Sequence, residues 1–257
     1  MSTGTGSDTR RVRGGALLAR FMLRATVTET GQLTPSMRWL RISGPALRGV
    51  EALPGQQVRV LVGDPFRAKA LLGGLGDLRR TYSVYRGDPA AGEIELCVHL
   101  HNGGGPGARW AREAQPGQEV ALSGPEGRFV LRADAPYHLF VGEETAMVPF
   151  TAMSGSLPDP ARVHAVIELA DLADRLPGMR AESTVWVQRG PEGAAASAGL
   201  LRAVAGLDLP SEPGVAYVAG EARTCQAVRD HLVRERGWPR RSVLVKPFWA
   251  PGKRGME

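Results

Sequence analysis

Lysine is nearly missing from this chain of 257 residues: it stands only at Lys69, Lys246 and Lys253, so arginine carries almost all of the formal net charge of +6. The arginines are scattered rather than clustered, which argues against nucleic acid as a partner and leaves anionic small molecules as the class a basic chain attracts. Cysteine is limited to Cys97 and Cys225, far apart. Two are too few for a disulfide framework and show no metal-ligand spacing, so they read as buried, reduced thiols of a cytoplasmic protein. No apolar run reaches the length of a membrane span. The apolar residues 16–19 are too short for a secretory core, so the expectation is no membrane insertion and a flexible tail over 1–20. Nothing resembling a Ser-His-Asp set, a paired carboxylate dyad or a metal cluster has persuasive spacing.

What the chain does have is a hydrophobic content of 43%, enough for a substantial core and too much for wholesale disorder. From 21 to 133 the pattern is short β-runs, at 24–30, 37–42, 56–62, 80–85, 93–99 and 119–123, separated by turn pairs such as Pro54-Gly55 and Pro116-Gly117. Six strands with one helical insert at 107–113 predict a small closed antiparallel barrel. Residues 124–129 read as a tight turn that ends it. After Asp134-Ala135-Pro136 the texture changes. Buried-type strands at 138–141, 161–168, 184–187, 215–219 and 242–245, with a helical repeat at 224–236, predict an α/β domain with a mostly parallel sheet over 134–257. Residues 193–199 are small and read as a flexible loop. The expected fold is therefore α+β with two domains, a six-stranded antiparallel β-barrel followed by a Rossmann-like parallel sheet.

Four segments carry chemistry. Arg80-Thr81-Tyr82-Ser83 lies in a β-run, so Arg80 and Tyr82 share one face and Thr81 and Ser83 the other. Arg offers a fork for phosphate, Tyr a flat surface and Ser a hydroxyl for a ring heteroatom. His101-Asn102-Gly103-Gly104-Gly105-Pro106-Gly107-Ala108-Arg109-Trp110 reads either as a plain connection or as a glycine-rich loop opening a helix, whose free amides attract an anion. His99 and His101 share a strand face without further metal ligands. Gly142-Glu143-Glu144-Thr145-Ala146 and Ala219-Gly220-Glu221-Ala222 each follow a predicted strand, where an open α/β sheet takes its ligand. Glu168 closes another strand, where it binds a ribose diol or simply faces solvent. Glu221 faces a dinucleotide or caps a helix.

In this order the segments resemble the siderophore-interacting protein family, FAD-containing ferric-siderophore reductases of the ferredoxin-reductase superfamily. The closing Phe248-Trp249 is similar to that family's aromatic-Trp ending. The resemblance implies FAD on the barrel, its diphosphate paired with Arg80 and the loop Asn102, Gly104, Gly105, Pro106, Gly107 and Ala108, with Thr81, Tyr85, Arg86, His99 and His101 nearby. It implies Tyr82 against the isoalloxazine and Ser83 near its reactive nitrogen edge, the two candidate catalytic side chains. It implies NADH or NADPH as donor on the second domain, with Thr145, Glu168, Gly220 and Glu221 as candidate contacts, and Trp249 as a further cofactor-binding candidate. Lys246, Phe248 and Lys253 form a candidate basic, aromatic docking site for an anionic ferric siderophore.

Three departures from the family pattern stand out. Tyr85 stands at or beside the place of a second Arg, with Arg86 in easy reach, Pro149 comes one residue late, and the ending has Phe248 and Ala250 in place of Tyr and Arg. They leave room for a biosynthetic FAD enzyme acting on an organic substrate, with a redox or non-redox step, and for a siderophore carrier without turnover.

Overall fold

The computed structural model describes residues 22–62, 79–101, 104–158, 162–179, 184–191 and 193–253. In the first part, alternation of apolar and polar residues drives six strands: β1 (Leu23–Thr34), β2 (Met37–Ser43), β3 (Gln57–Leu61), β4 (Arg79–Asp88), β5 (Glu93–His99) and β6 (Glu119–Glu126). They close into a barrel in the order β1-β2-β5-β4-β3-β6, every pair antiparallel. One residue in two turns inward, so Val58 and Val60, Ile94, Leu96 and Val98, and Val120 and Leu122 fill the interior. Each such side chain removed from water stabilises the fold by roughly 1.5–3 kcal/mol. Helix α1 (Pro106–Glu113) packs Trp110 and Ala111 onto this core.

The turn expected over 124–129 is instead partly strand. β6 runs on to Glu126, and an irregularity in its pairing with β3 shifts the register between Gln57 and Arg59. The twist of the barrel rim absorbs the extra residue, which local turn chemistry could not reveal.

The second part is a parallel sheet of β7 (His138–Glu143), β8 (Val163–Leu169), β9 (Thr184–Gln188), β10 (Val215–Glu221) and β11 (Val243–Trp249), in the order β11-β10-β7-β8-β9. Its helices are α2 (Glu144–Gly155), α3 (Ala198–Ala205) and α4 (Ala222–Asp230), the last continuing through a wider turn at His231–Glu235. The expected flexible loop over 193–199 thus gives way at Ala198 to α3, capped by the Ser197 hydroxyl on the Leu200 amide. Helix α2 accommodates Pro149 in its interior. Cys97 and Cys225 are both buried free thiols. Among the described residues no helix is long and apolar enough to cross a membrane.

The two sheets are joined by a shared core. Met37, Tyr85, Cys97 and Phe129 from the first part pack with Phe140, Met147, Phe150 and Met153 from the second. Asp174, buried between them, accepts hydrogen bonds from the Thr34 hydroxyl at 2.8 Å and the Ser36 amide at 2.7 Å. Removing that carboxylate leaves donors inside the junction without an acceptor. Asp174→Ala is expected to lower unfolding stability by about 2 kcal/mol, and Asp174→Asn, which keeps an acceptor, by less. Denaturant titration checks the order; equal stability of all three proteins contradicts it.

Candidate functional site

Arg80, Thr81, Tyr82 and Ser83 lie on β4, paired in register with β3. Arg80 and Tyr82 reach the same neighbour. A Cβ on Gly107 would stand 2.6 Å from the Tyr82 hydroxyl and 3.2 Å from Arg80 Cγ. Only glycine lets the first turn of α1 settle onto this pair. Tyr82 also rests on Trp110, with ring centroids 5.6 Å apart. The Tyr82 hydroxyl and Thr81 Oγ1 are buried and find no hydrogen-bond partner among the described residues. Burial raises the Tyr82 phenol well above its ordinary range, against the opposing charge of Arg80, so the hydroxyl keeps its proton and can donate it. Ser83, on the other face, is buried beside Gln57, whose side-chain amide approaches its hydroxyl at 3.5 Å.

Helix α1 opens with Gly105 and Pro106 and carries no side-chain cap, so the amides of its first turn are left for another acceptor. Gly104 takes a φ of +60°, and the space where its Cβ would stand is open. Ala108 is buried, Pro106 exposed, and the His101 ring lies against Gly105. Asn102 falls outside the described residues. His99 is half-buried at the end of β5, held below its ordinary pKa first by burial, with Glu144 pulling the other way. Tyr85 and Arg86 sit apart from this cluster. The Tyr85 hydroxyl donates to the Pro177 carbonyl at 3.3 Å, and exposed Arg86 stacks over the Tyr85 ring at 5.1 Å. The Arg80 guanidinium, which also donates to the Arg79 carbonyl at 2.6 Å, stands with the unpartnered Tyr82 hydroxyl and the uncapped helix start as a donor set that suits a diphosphate-bearing flavin.

The second cluster lies at the carboxyl ends of the parallel strands. Because β8 and β10 flank β7 on opposite sides, the junction of β7 and β10 is the switch point where such sheets take ligands. Glu143 ends β7 and caps α2. Its Oε2 accepts from the Thr145 amide at 3.0 Å, and its Oε1 accepts from the Thr145 hydroxyl at 2.5 Å and from the Trp249 indole at 3.0 Å. Burial first, and then the neighbouring Glu144 charge, push the Glu143 carboxyl up to about 7. Gly220, at φ +121°, brings its backbone so close that a Cβ would stand 2.6 Å from Glu143 Oε1.

Glu168 is buried. Arg189 Nε donates to one of its oxygens at 2.9 Å and the Ser197 hydroxyl to the other. Arg189 also pairs with Glu144. Burial works against the ionised Glu144, yet Arg189 and the Ala170 amide outweigh it and hold that carboxyl below its usual range. Glu221 caps α4. Its Oε2 accepts from the amides of Thr224 and Ala196, while Oε1 is buried and unpartnered among the described residues. Lys246 is half-buried on β11 between Leu244 and Phe248, which pack against the shared core, and Lys253 is exposed beyond the strand.

The sequence reading did not single out Glu143, Glu144, Arg189 or Ser197 as site residues. Their one available signal was position, each standing at a strand end or a helix cap on the ligand-facing edge.

Two family models match the chain: the siderophore-interacting FAD-binding domain over residues 26–129 and the siderophore-interacting protein model over 135–252. The ferric vibriobactin reductase of Vibrio cholerae is 30% identical over 178 residues, covering 68% of this chain and 65% of that protein. A mycobactin import ATP-binding/permease protein of Mycolicibacterium smegmatis is 29% identical over 252 residues, covering 93% of this chain. The chain spans 27% of that permease's length. The crystal structure of a siderophore utilization protein from T. fusca superimposes with a TM-score of 0.79 at 25% identity, covering 92% of this chain and 95% of that one. Two matched domains in sequence order, on a barrel and sheet of this topology, place this chain in the siderophore-interacting protein family.

Proposed function

We propose that this protein is a flavin-dependent reductase of ferric chelates that takes its electrons from NADH or NADPH. The observation that carries the reading is the seat formed where Gly107 lets the uncapped start of α1 settle on Arg80 and Tyr82. In this reading Arg80 and the first-turn amides of α1 hold the FAD diphosphate, charge against charge and dipole. The Tyr82 hydroxyl, which lacks a partner among the described residues, completes the hold, and the Thr81 hydroxyl is left open on the face that carries Ser83. Ser83 offers its hydroxyl from the opposite face of β4. Bound FAD supplies the chemistry that joins a two-electron hydride donor to a one-electron metal acceptor.

The protein's own part is positioning and charge. Thr145, Gly220 and Glu221 face the donor at the β7–β10 junction. Lys246 and Lys253 attract an anionic ferric chelate toward the same side of the molecule, and Phe248 gives it an apolar floor. The balanced overall change is one NAD(P)H and two ferric ions giving NAD(P)+, a proton and two ferrous ions. The relation to a ferric vibriobactin reductase supports this acceptor class. The permease relative supports an iron-chelate context.

Two outcomes test the reading. FAD-loaded protein titrated anaerobically with NADH and with NADPH is expected to lose its oxidised flavin absorbance with at least one of them. Ferric tris-catecholate should then restore it without oxygen, releasing two ferrous ions per donor to a ferrous-selective chelator. Flavin that neither nucleotide reduces points to a biosynthetic, non-redox role, and protein that refuses FAD while folded points to a carrier. Arg80→Ala is expected to weaken FAD binding about tenfold or more, from the loss of charge-assisted hydrogen bonds, as read by flavin fluorescence titration. Unchanged affinity contradicts the assignment of Arg80.

A further inference from the structure

Thr145, Gly220 and Trp249 come from three separate segments, yet all three meet one side chain. The carboxyl group of Glu143 accepts from the Thr145 amide, the Thr145 hydroxyl and the Trp249 indole, and it occupies the space a Cβ on Gly220 would need. Capping α2 uses only Oε2, through the Thr145 amide. Oε1 does something a cap does not require. It ties the end of β11 to the end of β7 and the start of α2, across the strand β10 that lies between β7 and β11. Trp249 stands in register opposite Glu221, at the last pair of the β10–β11 ladder. Its indole therefore lies at the ligand-facing edge and not along the sheet.

The side chain is buried, with 4% of its surface exposed, so its orientation is fixed by these contacts and not by solvent. A short-chain acid could not span the same gap while keeping all three. A hydrophobic residue would leave the indole N–H and the Thr145 hydroxyl without their acceptor.

We propose that Glu143 is a positioning residue for the electron-donor site, its Oε1 holding the Trp249 indole and the Thr145 hydroxyl together as one preformed wall at the β7–β10 junction, against which a pyridine dinucleotide docks. This rests on the reading of the protein as an NAD(P)H-dependent flavin reductase and names the residue that sets donor binding in it. Glu143 itself touches neither donor nor flavin. Its effect is on geometry, and a wall already in place lowers the ordering cost of binding.

The test uses FAD-loaded protein labelled with 15N at tryptophan, in which Trp249→Phe assigns the Trp249 indole signal by its disappearance. Glu143→Ala is expected to shift that indole signal upfield and speed its exchange with water. It should raise the half-saturating concentration of NADH or NADPH about tenfold, with the limiting rate of flavin reduction changed less than threefold and FAD affinity unchanged. Glu143→Gln, which keeps an oxygen for the indole, should restore the signal and most of the donor affinity. Trp249→Phe, which keeps an aromatic ring but loses the pyrrole half of the indole and its N–H, should raise half-saturation in the same direction. It guards against a Glu143→Ala protein that does not fold.

An unmoved indole signal in Glu143→Ala overturns the proposal. So does a donor half-saturation within twofold of the parent in both Glu143→Ala and Trp249→Phe. If the unsubstituted protein takes electrons from neither nucleotide, the proposed reaction fails and the donor role of Glu143 fails with it. A shifted indole signal in Glu143→Ala would then show that the carboxyl group holds Trp249 for some other purpose, so the two failures are told apart.

Discussion

The ligand-facing edge of the second domain depends on one guanidinium. Arg189, just past β9, donates to Glu168 at the end of β8 and to Glu144 at the start of α2. Both carboxylates are buried, and two buried anions without a cation would be strongly unfavourable. Glu168 passes the constraint on to Ser197 and the start of α3, and Glu144 to the Ala170 amide. A single positive charge thus holds the loops after three strands in one arrangement. It also explains why adjacent carboxyls behave oppositely. Arg189 reaches Glu144 and keeps it ionised, and that charge, added to burial, drives Glu143 toward its neutral form.

The two candidate sites differ in how far they satisfy themselves. On the barrel, the hydroxyls of Thr81 and Tyr82 and the first-turn amides of α1 are left for a further partner. On the sheet edge, Glu143, Glu144 and Glu168 have both oxygens engaged by neighbouring side chains and amides, while Glu221 keeps one buried oxygen without a partner among the described residues. A resident cofactor can supply permanently the partners that a fold omits. A substrate that comes and goes needs a site that stays stable without it, because unsatisfied buried groups would otherwise destabilise the protein at every turnover. The contrast fits a flavin held by the barrel and a donor that visits the sheet edge.

Much of this was legible in the sequence, for physical reasons that differ by region. The barrel strands could be read because alternation reports directly on which face is buried, as in Ile94, Leu96 and Val98 of β5. Arg80 and Tyr82 were readable as a same-face pair for the same reason, whereas the approach of Gly107 to that pair joins two distant segments and was not readable. The extension of β6 to Glu126 was not readable, since the irregular pairing that permits it is set by β3 and not by residues 124–126. Helix α3 was hidden by a run of small residues that carries little periodicity before Leu200. The carboxylate network was hidden more deeply. Arg189 and Glu144 lie 45 positions apart, and nothing local in either segment announces that they meet.

Tyr85 shows how a departure in one position can redirect a whole surface. The family resemblance expects a second arginine at or beside that position. The pairing of β4 with β5 shifts register between Val84 and Arg86, and this bulge turns Tyr85 toward the second domain, where its ring is buried in the shared core. An arginine at that place would bring a charge into a cluster of Met37, Phe129, Phe150 and Met153, at a desolvation cost that one backbone carbonyl would not offset. The tyrosine makes an interdomain contact instead, its hydroxyl ending on Pro177. β4, the strand that carries Arg80 and Tyr82, thus also fixes the sheet against the barrel through Tyr85. In the reading proposed above, that packing sets the distance between the flavin seat and the donor edge.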